Sequence, residues 1–310
     1  MSQAARTAED VGGRSTFARR WLGQTTIPYL FLAPFVILFV LFLILPLAYA
    51  LWISVFADRL VGGTVFVGFE NYSQAFEDGS FWAGIKRMVF FGIFQVPIML
   101  GLALAFALLL DSGAAWFTTV FRLGFFVPYA VPGVVAALIW GYLYGPTFGP
   151  FSQIAGYLSL PPPPFLSEGY MLASIANIVT WQFTGYNMII LYAALQAVPH
   201  EVRDAGAVDG AKEWQIALYI RIPLIFPALL LTGVFSIIGT FQLFNEAKVL
   251  QANAPGVISN DYTPNLYAYT LAFTDQDYNY SAAVSFALGA VVVVFSYVFM
   301  LVTNRRGAEG

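Results

Sequence analysis

Six stretches of the chain are apolar for long enough to cross a bilayer, which takes roughly 20 residues of helix. They run Pro28–Phe56, Ile85–Leu110, Thr119–Tyr144, Tyr170–Leu195, Pro223–Ala247 and Tyr280–Val302. The charges inside these limits are Lys86, Arg87, Arg122 and Glu246, each near an end. Pro34, Pro46, Pro97, Pro128 and Pro132 also fall within the spans. They predict kinked helices whose freed backbone groups are met by neighbouring helices. The expected fold is all-α: a polytopic membrane protein with six transmembrane helices, no tandem repeat and no second soluble domain.

The segments between the spans are more polar. Residues 57–84 and 248–279 carry Gly, Asn, Asp and Tyr, and 145–169 holds 161-PPPP-164, a stiff extended spacer. Residues 1–24 and 304–310 read as polar tails around a transmembrane domain at 25–303. The first apolar run is about twice the length of a secretory h-region, so it stays as a helix despite the cleavage-like 48-AYA-50.

Composition agrees with the pattern. Hydrophobic residues make up 59% and charged residues 10%, against about a quarter charged in soluble domains. The mean hydropathy is +0.73. The chain has no cysteine, which excludes disulfides and thiolate metal sites, and its single His200 cannot build an imidazole cluster. No catalytic residue and no metal ligand is therefore expected. A net charge of −3 gives no reason to expect nucleic acid. With the N-terminus cytoplasmic, ten Lys and Arg fall inside (Arg6, Arg14, Arg19, Arg20, Arg122, Arg203, Lys212, Arg221, Arg305 and Arg306). Four fall outside: Arg59, Lys86, Arg87 and Lys248. The positive-inside rule then places both termini in the cytoplasm.

One charged block interrupts this pattern. The stretch 201-EVRDAGAVDGAKEWQ-215 lies between the fourth and fifth spans. Pro199 suits a first helical turn, and Glu201 and Asp204 favour its positive end. Asp209-Gly210 supplies a break, with Gly free to turn left-handed and Asp able to cap the next helix. Two short helices meeting at a bend are expected on the cytoplasmic face. The block reads either as a solvated loop or as a docking element whose small residues Ala205, Gly206, Ala207, Gly210 and Ala211 admit a close partner.

The run 196-QAVPHEVRDAGAVDGAKEWQIALYIRIPLIFPAL-229 resembles the EAA loop of permease subunits in binding-protein-dependent ABC importers. Pro199, Asp204, Ala205, Gly206, Asp209, Gly210, Ala211, Gln215, Ile220 and Pro223 fall on its pattern. Asp204 stands where Glu is usual, and Gly206 replaces the second Ala. The outside stretches 66-FVGFENYSQAFEDGSFW-82 and 263-TPNLYAYTLAFTDQDYNYSAAVSFAL-288 are similar to the maltose-type carbohydrate-uptake branch. That branch's T-x-G-G-P is replaced here by 251-QANAP-255.

The resemblance implies a MetI-like, type I importer permease in a prokaryotic cytoplasmic membrane, importing a sugar. It implies a second permease subunit as heterodimer partner, two copies of a cytoplasmic ATPase, and an extracytoplasmic sugar-binding protein or lipoprotein. ATP and Mg would be bound by the ATPase, since this chain carries no G-x-x-x-x-G-K-[ST] to cradle phosphates. Residues 196–222 would form the coupling loop, with Glu201, Asp204, Ala205, Gly206, Asp209, Gly210 and Ala211 facing the ATPase. Trp214 reads either as the anchor of the coupling helix or as an interfacial aromatic.

The substrate path should be polar within apolar spans. Thr180, Thr184 and Asn187 share one helical face with Trp181 beside them. Thr240, Phe241, Gln242 and Asn245 cluster near the end of the fifth span. These residues read either as sugar contacts or as interhelical hydrogen-bonding glue. Glu246 is expected near the outer mouth rather than in the path. A self-sufficient secondary transporter or channel is the alternative, opposed by the absence of mid-membrane charges that would couple to ions. An intramembrane enzyme would need convergent nucleophiles, acids or metal ligands, and one His with no Cys leaves only carboxylates, mostly in loops.

Overall fold

The computed structural model describes residues 26–59, 61–112 and 117–307. The expected N-terminal tail at 1–24 lies outside them, as do residues 308–310 of the C-terminal tail.

The chain enters as one long apolar helix made of α1 (Thr26–Phe39), a π-helical segment Val40–Ile44 and α2 (Leu45–Ile53). Pro46 has no N–H with which to close the preceding turn, and its ring would strike the carbonyl of residue 42. The helix answers by widening, so that the Leu45 N–H bonds to the Val40 carbonyl five residues back. The same device recurs before Pro223, where Ile222 N–H bonds to Ala217 O across the π segment Ala217–Arg221.

A short antiparallel hairpin follows, β1 (Phe56–Arg59) and β2 (Gly63–Phe66), with Phe56 opposite Phe66. This corrects the purely α-helical expectation. Gly62 and Gly63 adopt φ of +107° and +69°, which makes the tight turn accessible here. Thr64 Oγ1 donates to Asp58 at 2.5 Å across the hairpin.

Helix α3 (Glu70–Glu77) leads to α4 (Gly79–Asp111), 33 residues long and capped by Asp78, which accepts the Ser80 N–H at 2.8 Å. Pro97 lies inside this unbroken helix, and Pro34 inside α1. Pro128 and Pro132 instead flank a sharp break. Helix α5 (Thr118–Ala130) and α6 (Gly133–Leu143) meet at 94°, so the expected third span is two helices rather than one kinked helix. After α7 (Pro150–Tyr157) comes α8 (Glu168–Gln196), the central helix of 29 residues.

The charged block forms α9 (His200–Val208) and α10 (Glu213–Ile216), which runs through the π segment into α11 (Ile222–Leu224). Helix α12 (Phe226–Phe241) departs at 68°. The expected fifth span to Ala247 stops short, because Gln242 ends α12 and a separate α13 (Asn245–Asn253) begins. Helices α14 (Pro264–Phe273) and α15 (Tyr278–Gly307) complete the described chain.

Among the described residues, three helical stretches are long and apolar enough to cross a membrane: Tyr29–Ile53, Gly79–Asp111 and Tyr278–Thr303. Counting each bent pair as one span gives five. Helix α8 covers the expected fourth span yet is less apolar, carrying buried Ser174, Gln182, Thr184 and Asn187. The reason is packing: α4, α5, α12 and α13 surround it, so it answers to protein rather than lipid. Two apolar cores lie along it. One gathers Met88, Phe91, Ile175, Ile178 and Leu250; the other gathers Ala107, Leu110, Met188, Leu191 and Leu195 beside the α9 end.

Candidate functional site

Two features carry the functional argument: the bent block at 200–216 and a cavity beside α8. In the block, α9 closes with Ala211 N–H on Gly206 O at 3.0 Å and Gly210 N–H on Ala207 O at 3.1 Å. This pair of bonds is a Schellman ending, and Gly210 takes the left-handed position with φ +79°. The expected bend at Asp209-Gly210 is therefore present. The expected capping by Asp209 is not, since the Gln215 side chain accepts the Lys212 N–H at 2.8 Å and starts α10 instead. Arg203 bridges the two helices through Glu213 at 2.9 Å.

Exposure divides the block into faces. Glu201, Asp204, Ala205, Asp209, Gly210 and Trp214 point outward, Ala211 is half-buried, and Gly206 is buried. A Cβ on Gly206 would stand 3.1 Å from Ile220 and 3.3 Å from Ile216. The small residue is thus used to bring α9 onto α10 and the following π segment, leaving the other small residues for an outside surface. Trp214 is 58% exposed and lies 6.5 Å from Tyr219, so within this chain it anchors nothing. Val208, 87% exposed, is an apolar tip that the sequence reading passed over.

The cavity, about 360 Å³, lies between α4, α5, α8, α12 and the start of α13. Its position depends on Gly185. A Cβ there would lie 1.7 Å from the Phe125 carbonyl, so only glycine lets α5 rest on α8 at this point. That approach brings Tyr129 onto Tyr186, stacked at 4.5 Å, and edge-on to Phe183 at 5.8 Å. The broken helix is tied down nearby: Gln182 Nε2 donates to the Val131 carbonyl at 2.9 Å, at the break between α5 and α6.

The expected path residues divide. Asn187, Thr240, Gln242 and Asn245 line the cavity. Thr180, Trp181, Thr184 and Phe241 do not. Thr184 Oγ1 donates back to its own helix at Thr180 O, 2.5 Å away, while Thr180 receives Gln95 Nε2 at 3.4 Å. Trp181 packs edge-on to Trp140, and Phe241 against Phe295. Gln95, Tyr129, Tyr186 and Ser236 line the cavity without having been expected, because their approach depends on helix crossings. Glu246 is a correction: it is 7% exposed and lines the cavity rather than standing at an outer mouth. The helix break at Gln242–Phe244 turns it inward. The lining thus pairs hydrogen-bonding side chains with aromatic faces, a combination suited to holding a polar ring compound.

Comparison with known proteins identifies the scaffold. Residues 97–305 match the family of binding-protein-dependent transport system inner membrane components. The chain belongs to this family. This permease is 29% identical over 290 residues to the lactose transport system permease protein LacF of Rhizobium radiobacter, covering 90% of this chain and 94% of LacF. It is 31% identical over 283 residues to a probable ABC transporter permease of Pyrococcus horikoshii, covering 88% and 95%. The arabinooligosaccharides transport system permease protein AraP of Bacillus subtilis is 28% identical over 286 residues, covering 91% and 90%. In fold the permease is similar to a bacterial ABC transporter involved in import of the acidic polysaccharide alginate, with a TM-score of 0.76 at 19% identity over 94% and 99% of the two chains.

Proposed function

We propose that this permease is a transmembrane subunit of an ATP-driven sugar importer in a prokaryotic cytoplasmic membrane. The observation that carries the reading is the cavity, where Asn187, Thr240, Gln242 and Asn245 face Tyr129, Phe183 and Tyr186. Carbohydrate relatives over nearly the whole chain support it. Their names do not fix the charge of the cargo, for another relative is a sulfoquinovosyl glycerol permease of Agrobacterium fabrum.

In this reading α8 is the fourth span and brings the total to six, shielded from lipid by its neighbours, and both termini lie in the cytoplasm. Residues 196–222 form the coupling loop, whose exposed face meets one of two copies of an ATPase that binds ATP and Mg. ATP-driven closure of the ATPases swings the attached spans as near-rigid bodies and opens the cavity alternately to each side. A second permease completes the pathway. An extracytoplasmic binding protein delivers the sugar, as the alginate transporter solved with its saccharide-bound periplasmic protein suggests by analogy.

The test uses Ala205→Trp, at an exposed position facing away from the α9–α10 contact. Co-purification of the ATPase and sugar uptake by the reconstituted complex should both fall, while thermal unfolding of the isolated permease stays unchanged. Unaltered ATPase association and uptake would remove the coupling role. Ion-driven uptake by this chain alone in liposomes would remove the importer reading.

A further inference from the structure

Among the described residues that line the cavity, Glu246 is the one charged side chain, with no Lys, Arg or His beside it. Glu246 as a whole residue is more than nine-tenths buried. Among the described residues no ion pair engages it. It occupies the first turn of α13, where the unpaired N–H groups of a helix favour negative charge. Its neighbour Asn245 is held against Gly133, with a Cβ on that glycine 3.1 Å from Asn245 Nδ2, so the start of α13 is fixed against α6. This chain's side of the wall therefore presents one carboxyl group, neutral amides and hydroxyls, and aromatic faces, with no basic side chain among the described lining residues.

We propose that Glu246 sets the charge specificity of this permease, admitting uncharged saccharides and rejecting acidic ones such as uronates, sulfonates and phosphates. This rests on the sugar-importer reading above and adds the cargo's charge to it. The hydroxyls of a neutral sugar can donate to the carboxylate and exchange with Asn187, Gln242 and Asn245. An acidic group in the same space meets like charge at low dielectric and must shed its water without a cation in return. Two like charges several ångströms apart in such a site correspond to discrimination on the order of tenfold or more.

The experiment uses the complete reconstituted transporter and matched probes: maltose, lactose and arabinotriose against maltobionate, lactobionate and digalacturonate. Uptake is measured with the binding protein present, and equilibrium binding is measured on the permease–ATPase complex without it, so that discrimination by the binding protein is separated out. The wild type should favour the neutral over the acidic probes by about tenfold or more. E246Q should narrow that ratio to within about threefold, and N245D should widen it. The ratio is the readout, so a general loss of activity in one variant does not mimic the result. Equal handling of neutral and acidic probes by the wild type, or an unchanged ratio in both variants, overturns the assignment of Glu246 and leaves the importer reading standing. Failure of every probe, neutral and acidic, to be taken up defeats the saccharide reading itself and the inference with it.

Discussion

Arg221 forms an ion pair with Asp111, and the two side chains are only 9% and 6% exposed. Asp111 is the last residue of α4, Arg221 closes the π segment beyond the bent block, and Gln196, the last residue of α8, also donates to Asp111. Three helix ends are thus tied at the place where the block joins the spans. Removing one member leaves a charge buried without compensation, which costs about 3–5 kcal/mol, whereas replacing both with apolar side chains is far milder. Asp111→Asn should therefore lower the unfolding temperature of the detergent-solubilised permease sharply, and the Asp111→Leu, Arg221→Met double variant should recover most of the loss. A double variant no more stable than the worse single variant would show that the pair is not isolated from water.

The crossing of α5 on α8 gives a contrasting pair of glycines. Gly185→Ala drives a methyl into the Phe125 carbonyl, and overpacking of this kind costs about 1–3 kcal/mol or forces the helices apart. Gly124→Ala, on the exposed side of α5 with nothing within 4 Å, should be neutral or slightly stabilising, since Ala favours a helix over Gly by about 1 kcal/mol. Thermal unfolding of the two variants side by side checks this. Gly185→Ala should also reduce uptake, because Tyr129 would be moved off Tyr186.

These contacts show where sequence reading stops. Apolar run length located the long helices at Tyr29–Ile53, Gly79–Asp111 and Tyr278–Thr303, and Asp209-Gly210 announced the bend, because both signals are local. Asn187, Thr240, Gln242 and Asn245 were legible as polar residues in greasy spans. Gln95, Tyr129 and Tyr186 were not, since their place on the wall depends on Gly185 at a helix crossing. Thr184 misled because a hydroxyl within a helix can satisfy itself on the carbonyl four residues back. Glu246 misled because the end of α12 at Gln242 carries no proline or glycine to announce it. The family match covers the scaffold, while the alternatives for each polar side chain were separated only by packing.

The break between α5 and α6 offers a third test. Gln182 supplies the donor for the Val131 carbonyl, and leaving a buried carbonyl unpaired costs about 1–3 kcal/mol. Gln182→Leu should destabilise the permease by that amount, and Gln182→Glu, which presents no amide donor, should not rescue it. Equal stability of Gln182→Leu and wild type would mean that another donor reaches Val131.

Asp78 gives the prediction with a pH signature. Its carboxylate accepts hydrogen bonds from Tyr267 at 2.5 Å, Tyr280 at 2.9 Å and the Ser80 N–H at 2.8 Å, tying the start of α4 to α14 and α15. Burial alone would raise its pKa, but these bonds to the charged form outweigh burial and hold it below the ordinary carboxylate value. A group depressed on folding stabilises the native state at pH values above its unfolded pKa, and that contribution is lost as pH falls through the folded value. The window accordingly opens near about pH 4 and extends downward. Asp78→Asn should be less stable than wild type at pH 7, and the gap should shrink as unfolding is measured at successively lower pH through that window. A gap that stays constant from neutral to acid would mean that the tie depends on shape and neutral hydrogen bonds rather than on the carboxylate's charge.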